Sequence, residues 1–488
     1  MKIAFVSSEV FPFSKTGGLA DVAGALPKAL EKLGHEVKVF TPKYDTIDEN
    51  KFGLKYNWDI GGMPIRINGH VRDVHVHQCN LPDSNVEANF IDCPYYFSRG
   101  KIYSDSYDED ERFILFMKGA IESLQRMQWK PDIIHCNDWQ TGLIPLLIKD
   151  NYSWDKMFDH TATVYTIHNI GYQGRFSKAA LFNAEIKGTL FYPGGPVEYE
   201  NNVSFMKAGI SFTDVINTVS KTYAYEILTD EYGSGMQDTL KSRKDDLYGI
   251  VNGVDYETWN PDDDKFLPFR YSSKYLGGKL KNKRFLLEHM GLEYKEDIPL
   301  IAIISRMAIQ KGFDIFEQAA ESLMKLNAQW VVLGSGEERY ENHFRYLASN
   351  FPEKVSIYLG FNNELSHLIE AGADLFLMPS HYEPCGLNQI YSLKYGTIPI
   401  VRKTGGLADT VLDWDEMRYY GYDTGTGFSF NDYTGYALSV TVERAIKYFQ
   451  QKDVWTKIQK NGMSQDFSWE HSAKEYISLY EKAIEKRK

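Results

Sequence analysis

Short, continuously apolar runs alternate along this chain with longer segments of helical spacing, and that rhythm restricts the fold more than any other feature. Ile3–Val6 is one such run, Leu19–Leu33 has helical spacing and stops at Gly34, and Val37–Phe40 is apolar again. Further runs lie at Asp132–Cys136, Thr163–Ile167 and Val215–Val219. A strand with one wet face alternates polar and apolar residues, whereas a continuous run belongs to a strand covered on both faces. Strand, helix and strand in turn predict an α/β fold built on a doubly wound parallel sheet. The rhythm fails near 250–285, where "GIVNGVDYETWNPDDDKFLPFRYSS" is rich in Gly, Asn, Asp and Pro and reads as a crossing segment. It resumes at Leu300–Ile304, Trp330–Leu333, Val355–Leu359, Leu375–Met378 and Ile398–Val401. A chain of 488 residues has room for two or three domains. We therefore expect two Rossmann-like domains, about 1–250 and 260–450, and a closing segment 451–488. Ligands bind at the carboxyl ends of such strands, so two facing domains would hold one in the cleft between them. In "DFSWEHSAKEYISLYEKAIEKRK" the residues Ala473, Tyr476, Ile477, Tyr480 and Ile484 share a helical stripe, with Ser468 as a plausible N-cap. This helix is expected to pack back across the domains.

Charge and cysteine usage narrow the partners. The formal net charge of −12 and isoelectric point near 5.6 argue against nucleic acid or an anionic membrane, while leaving room for a local basic pocket. No run of about 18 apolar residues appears, so no membrane partner is expected. The opening "MKIAFVSSEVF" has neither a long apolar core nor a small-residue cleavage site. Cys79, Cys93, Cys136 and Cys385 are widely spaced with no CxxC pair, which fits neither a disulfide framework nor a structural zinc site. A reducing, cytoplasmic setting is the expectation. The 33 Tyr suit sugar binding, because a ring can stack on a pyranose while its hydroxyl bonds, although any one Tyr is more often a packing residue. "DSYDEDE" at 105–111 reads as a solvated acidic loop.

Four motifs carry chemistry. The heptapeptide KTGGLAD occurs at Lys15–Asp21 and again at Lys403–Asp409, each time between a strand and a helix. Gly-Gly lets the backbone approach a ligand closely, and free N–H groups at the following helix start favour an anion. Lys15 and Lys403 each add a cation. Next, "ISRMAIQKGFD" (304–314) puts Arg306 and Lys311 in one loop after a strand. A guanidinium can grip a diphosphate with two N–H groups and an ammonium adds a point charge. Such cations suit a leaving nucleoside diphosphate, where negative charge grows in the transition state; a surface ion pair is the other reading. In "PSHYEPCGLNQIYSLKYG" (379–396) a strand runs into a loop carrying Glu383 and then a Cys-Gly-Leu backbone. A carboxylate beside bare N–H groups can bind sugar hydroxyls or stabilise a cationic sugar. Cys385 has no His beside it in sequence and reads as a semi-buried thiol. Finally, "IIHCNDWQTGL" (133–143) and "YTIHNIGYQG" (165–174) deliver Asp138 with Trp139, and His168 with Asn169, at strand ends. By position alone His168 is as readily structural as catalytic.

These stretches, with "VNGVDYETWNP", "TGTGF" and "FSWEHSAKEY", stand in order over almost the whole chain and resemble the glycogen/starch synthase family of sugar-nucleotide glycosyltransferases. The resemblance implies GT-B architecture, meaning two Rossmann-like domains around a cleft. It implies retaining transfer of glucose from ADP-glucose to the non-reducing end of an α-1,4-glucan, elongating glycogen, with UDP-glucose as the alternative donor. By motif match Arg306 and Lys311 would hold the diphosphate and Glu383 the transferred glucose. His168 matches the family's active-site His and Asp138 a cleft carboxylate. Lys15, Gly17 and Gly18 would lie beside donor phosphate and sugar. Asn252, the Cys385, Gly386 and Leu387 backbone, and Thr404, Gly405 and Gly406 complete the implied substrate contacts. Phe361, in "LGFNNELSH", falls where the family places an aromatic, often Tyr, against adenine. Asn137 and Gln140 stand where many relatives carry His. In the wider group a second glutamate often follows eight residues after the first; that position here is Tyr391, and this branch of the family also lacks that glutamate.

Nothing in the sequence looks like a metal site, no cofactor is expected, and oligomeric state is left open. With no nucleophilic carboxylate pair in view, the expected chemistry is a front-face displacement in which the departing phosphate helps deprotonate the glucan hydroxyl. A dinucleotide-dependent oxidoreductase would need G-x-G-x-x-G after the first strand and an acidic ribose ligand about 20 residues on, and neither is evident. A non-catalytic glucan binder has no need of Glu383, Arg306 and Lys311 together.

Overall fold

The computed structural model describes residues 1–488, which separate into two compact units. The first comprises Met1–Val219, Ala224–Gly253 and Trp469–Lys488. Its opening strand, Lys2–Val6, pairs in parallel with Glu36–Pro42 on one side and Ile133–Asn137 on the other. Parallel pairing continues through Ala162–Ile167, Val215–Thr218 and Leu247–Gly249, and in the other direction to Glu87–Asp92. Ile3, Phe5, Ile133, Val164 and Ile216 are fully buried, as strands covered on both faces require. Beyond Glu87–Asp92 the sheet turns antiparallel, through His70–Asn80 to Lys55–Tyr56 and Met63–Ile67. This extension alternates. Met63, Ile65 and Ile67 are buried while Pro64 and Arg66 are exposed, a half-covered pattern that a search for continuous runs passes over.

Of the acidic stretch at 105–111, only residues 105–107 form a solvated loop. Asp108, Glu109 and Asp110 are buried where helix Glu109–Arg126 begins. Arg99 grips Asp108 at 2.8 and 2.5 Å, Arg112 donates to Glu109 at 2.6 Å, and Asn183 donates to Asp110 at 2.8 Å. Buried carboxylates need such partners, and two of these donors lie outside the acidic stretch and its helix.

The final helix, Trp469–Arg487, belongs to this first unit. Ala473, Tyr476 and Tyr480 are buried, but Ser472, Leu479 and Ala483 complete the face, and Ile477 and Ile484 lie at its margin. The Tyr480 hydroxyl meets the His135 ring at 2.8 Å, and the Tyr476 hydroxyl accepts from Asn217 at 3.2 Å.

The second unit comprises Ser220–Tyr223 and Val254–Ser468. Its six-stranded sheet is parallel throughout, in the order Val355–Leu359, Gln329–Gly334, Leu300–Ile304, Leu375–Met378, Ile398–Arg402, Phe428–Phe430. The earliest strand, Leu300–Ile304, is central, and the winding reverses between it and Leu375–Met378, the place where open α/β sheets take their ligands. The unit continues past 450, since helix Lys452–Met463 sends Trp455 and Ile458 into the same core. The Gly/Asn/Asp/Pro-rich segment makes the crossing, with the first unit left at Gly253 and the second entered at Val254, and its later part is packed within the second unit. Tyr271 donates to the Tyr395 carbonyl at 2.7 Å, Asp264 accepts from the Tyr395 hydroxyl at 2.5 Å, and the Trp259 ring stacks 3.8 Å from His367 and 4.0 Å from Tyr391. No helix in the chain is long and apolar enough to cross a membrane.

Candidate active site

In the second unit the loop after Leu300–Ile304 carries Arg306 and Lys311, and the loop after Leu375–Met378 carries Glu383. The two strands are neighbours, so residues far apart in sequence meet at the reversal point. Lys311 Nζ lies 2.6 Å from Glu383 Oε2, and Ser380 Oγ donates to the same oxygen at 3.2 Å. Arg306, in the same loop as Lys311, is exposed. The loops touch because Gly312, at φ 80°, ends the turn that carries Lys311, and a Cβ there would sit 1.9 Å from the Pro379 carbonyl oxygen. No L side chain fits that approach.

The second KTGGLAD copy supports the Glu383 loop from behind. A Cβ on Gly405 would lie 1.9 Å from the Glu383 carbonyl oxygen, and one on Gly406 would lie 2.1 Å from that of Cys385. Gly406 N–H donates to the Glu383 carbonyl at 3.1 Å, so this amide faces protein. Thr404 and Cys385 are buried, and Gly386 and Leu387 lead into helix Asn388–Tyr395. Lys403 pairs with Glu416 at 2.7 Å near the surface. Phe361 stands apart from this group, past the edge strand Val355–Leu359, with 86% of its surface exposed.

In the first unit, Lys15, Asp138 and His168 follow the adjacent strands Lys2–Val6, Ile133–Asn137 and Ala162–Ile167. Asp138 has φ 55°, and its carboxylate accepts the His168 backbone N–H at 2.7 Å. Burial raises the Asp138 carboxyl to about 7, against the pull of N–H donors from His168 and Asn169. Burial lowers His168 to about 3, which makes the ring neutral near pH 7. Its Nε2 meets Asn137 Oδ1 at 2.9 Å, while Asn137 Nδ2 donates to the Val6 carbonyl at 3.0 Å. That second bond orients the amide, so Nε2 carries the proton and Nδ1 is left as an acceptor. Asn137 thus fixes the His168 tautomer. Asn252 is buried past the edge strand Leu247–Gly249, and its Oδ1 has no hydrogen-bond partner.

The first KTGGLAD copy differs from the second. Gly17 and Gly18 are exposed, and a Cβ on either would meet no atom within 4 Å. Lys15 donates to Asp21 at 2.6 Å. Two amides just ahead of the helix start at Gly18 are taken by a side chain. The Glu9 carboxylate accepts the backbone N–H groups of Thr16 and, at 3.2 Å, of Gly17. Sequence reasoning passed over Glu9; the available signal was a lone acid in the loop between the first strand and the glycines.

A model of the starch synthase catalytic domain matches residues 2–242, and one of glycosyl transferases group 1 matches residues 288–460. The chain is 44% identical over 497 residues to the glycogen synthase of Koribacter versatilis, covering 100% of this chain and 99% of the relative. It is 45% identical over 492 residues to that of Thermotoga petrophila, with the same coverage. Among solved structures it is similar to the catalytic domain of starch synthase IV from Arabidopsis thaliana bound to ADP and acarbose, with TM-score 0.90, 33% identity and 99% of each chain covered. A sucrose-phosphate synthase from Thermosynechococcus elongatus, 17% identical with TM-score 0.59 over 98% of each chain, shares the fold.

Proposed function

The chain belongs to the glycogen/starch synthase family of GT-B glycosyltransferases, and on that premise we propose that it transfers glucose from ADP-glucose to the non-reducing end of an α-1,4-glucan with retention of configuration. The observation that carries this reading is the Lys311–Glu383 pair at the strand-order reversal, in the loop that also carries Arg306. Two cations there suit a leaving diphosphate, and a carboxylate held beside them suits the hydroxyls of the departing sugar. ADP in the starch synthase IV structure supports an adenine nucleotide, with Phe361 as its stacking surface.

The donor's C1–O bond breaks as the diphosphate leaves. The glucan hydroxyl attacks C1 from the same face, and its proton passes to the departing phosphate oxygen. Arg306 and Lys311 stabilise the charge that grows on the leaving group. Cys385–Leu387 and Thr404–Gly406 shape the sugar and phosphate contacts. Lys15, Gly17 and Gly18 contact the donor, Asn252 lines its site, and neutral His168 with Asp138 positions reacting hydroxyls.

A donor panel tests this reading. With glycogen as acceptor, ADP-glucose should be used with kcat/KM well above that for UDP-glucose, and Lys311→Ala should lose about 100-fold or more in kcat. A preference for UDP-glucose overturns the donor assignment. Near-wild-type turnover by Lys311→Ala overturns the role of the cation pair.

A further inference from the structure

The Glu9 side chain is buried, with 3% of its surface exposed, and both carboxylate oxygens are occupied. One accepts the Thr16 hydroxyl at 2.6 Å and the Tyr103 hydroxyl at 2.5 Å. The other accepts the backbone N–H groups of Thr16 and of Gly17. All four donors are thereby satisfied by one side chain, and three come from the loop that precedes helix Gly18–Lys32. The far side of that loop is open, because nothing lies within 4 Å of a Cβ built on Gly17 or Gly18. A glycine pair with no neighbouring side chain to hold it is intrinsically mobile. Here the hold comes from a carboxylate that takes the amides of Thr16 and Gly17, just ahead of the helix.

We propose that Glu9 is a positioning residue, whose carboxylate fixes the Lys15–Gly18 loop from beneath and so keeps its glycine face presented to the donor. Tyr103, which also meets Ser8 Oγ at 2.9 Å, seats Glu9 in turn. The proposal rests on the donor reading above, but its structural half does not depend on which donor is used. It explains why two identical heptapeptides behave differently: the second copy is held by main-chain carbonyls of the Glu383 loop, the first by an acid supplied from the end of the first strand.

The test uses the full chain with Glu9→Ala and Glu9→Gln. Gln keeps one carbonyl oxygen for the two backbone N–H groups and turns its amide toward two hydroxyls, which can accept as well as donate. It therefore preserves the geometry while removing the charge. Glu9→Ala is expected to speed amide exchange at Thr16 and Gly17, to lower kcat with ADP-glucose about 10- to 100-fold, and to leave KM for glycogen within about twofold. Glu9→Gln is expected to restore slow exchange and most of kcat. Fast loop exchange with unchanged kcat in Glu9→Ala overturns the proposal. So does a Glu9→Gln enzyme that is inactive although its loop exchange is normal, because the carboxylate charge would then act directly. Unchanged exchange in Glu9→Ala removes the structural half, whatever the activity. A wild-type enzyme with no activity on ADP-glucose refutes the donor reading instead, and the exchange arm still decides whether Glu9 holds the loop.

Discussion

At the residue scale, Asp138 has the clearest consequence for pH. Its carboxyl moves from an ordinary value of 3.8 to about 7 because burial disfavours the charge. The folded state thus binds this proton more tightly than the unfolded one, so the stability Asp138 contributes is complete below about pH 4 and lost as pH rises toward 7. Asp138→Asn keeps an oxygen for the His168 N–H and removes the buried charge. Denaturant titrations should find its advantage over wild type small at pH 5, where the loss has only begun, and larger at pH 8, by roughly 2 kcal/mol once water reaching the half-buried group is allowed for. An equal difference at both pH values would mean that the carboxyl titrates in the fold as it does in water.

At the scale of elements, the two glycine loops give opposite mutational signs. Gly17 has φ −151°, ordinary extended backbone, and open space before it, so Gly17→Ala should fold within about 0.5 kcal/mol of wild type. The new methyl would stand on the face proposed to meet the donor, so KM for ADP-glucose should rise. Gly405 has φ 46° and a backbone oxygen where the methyl would go. Gly405→Ala should cost about 1–3 kcal/mol in strain alone and push the Glu383 loop out of place, so melting temperature and kcat fall together. Equal thermal losses in the two variants would contradict this. The heptapeptide itself was legible in the sequence, and so were the buried parallel strands, because both are local patterns. What holds each loop was not: Glu9 and the Glu383 carbonyl are set by tertiary approach, and the two copies have the same seven letters. The buried acids at 108–110 escaped for the same reason, since the charge of Asp108 is answered by Arg99 and that of Asp110 by Asn183. The alternating strand Met63–Ile67 was missed because a continuous apolar run is the wrong template for a half-covered strand.

At the scale of the whole molecule, the chain leaves its first unit near Gly253 and gives that unit its last helix only from Trp469 onward. The first unit is therefore incomplete until the end of the chain, whereas the second closes at Ser468. Tyr476 and Tyr480 are fully buried and Trp469 nearly so, and the Tyr480 and Tyr476 hydroxyls meet His135 on Ile133–Asn137 and Asn217 on Val215–Thr218. Burying a large apolar side chain contributes about 1.5–3 kcal/mol, so losing these three, with Leu479 and Ala483, approaches the 5–15 kcal/mol that typically separates folded from unfolded. A protein ending at Ser468 should then lose amide protection across Lys2–Val6 and Ile133–Asn137 while keeping it across Leu300–Ile304 and Leu375–Met378. Hydrogen exchange read by mass spectrometry distinguishes the outcomes. Protection retained in the first-unit strands would show that the helix only covers a finished core. Protection lost in both sheets together would show that the second unit does not stand without the first.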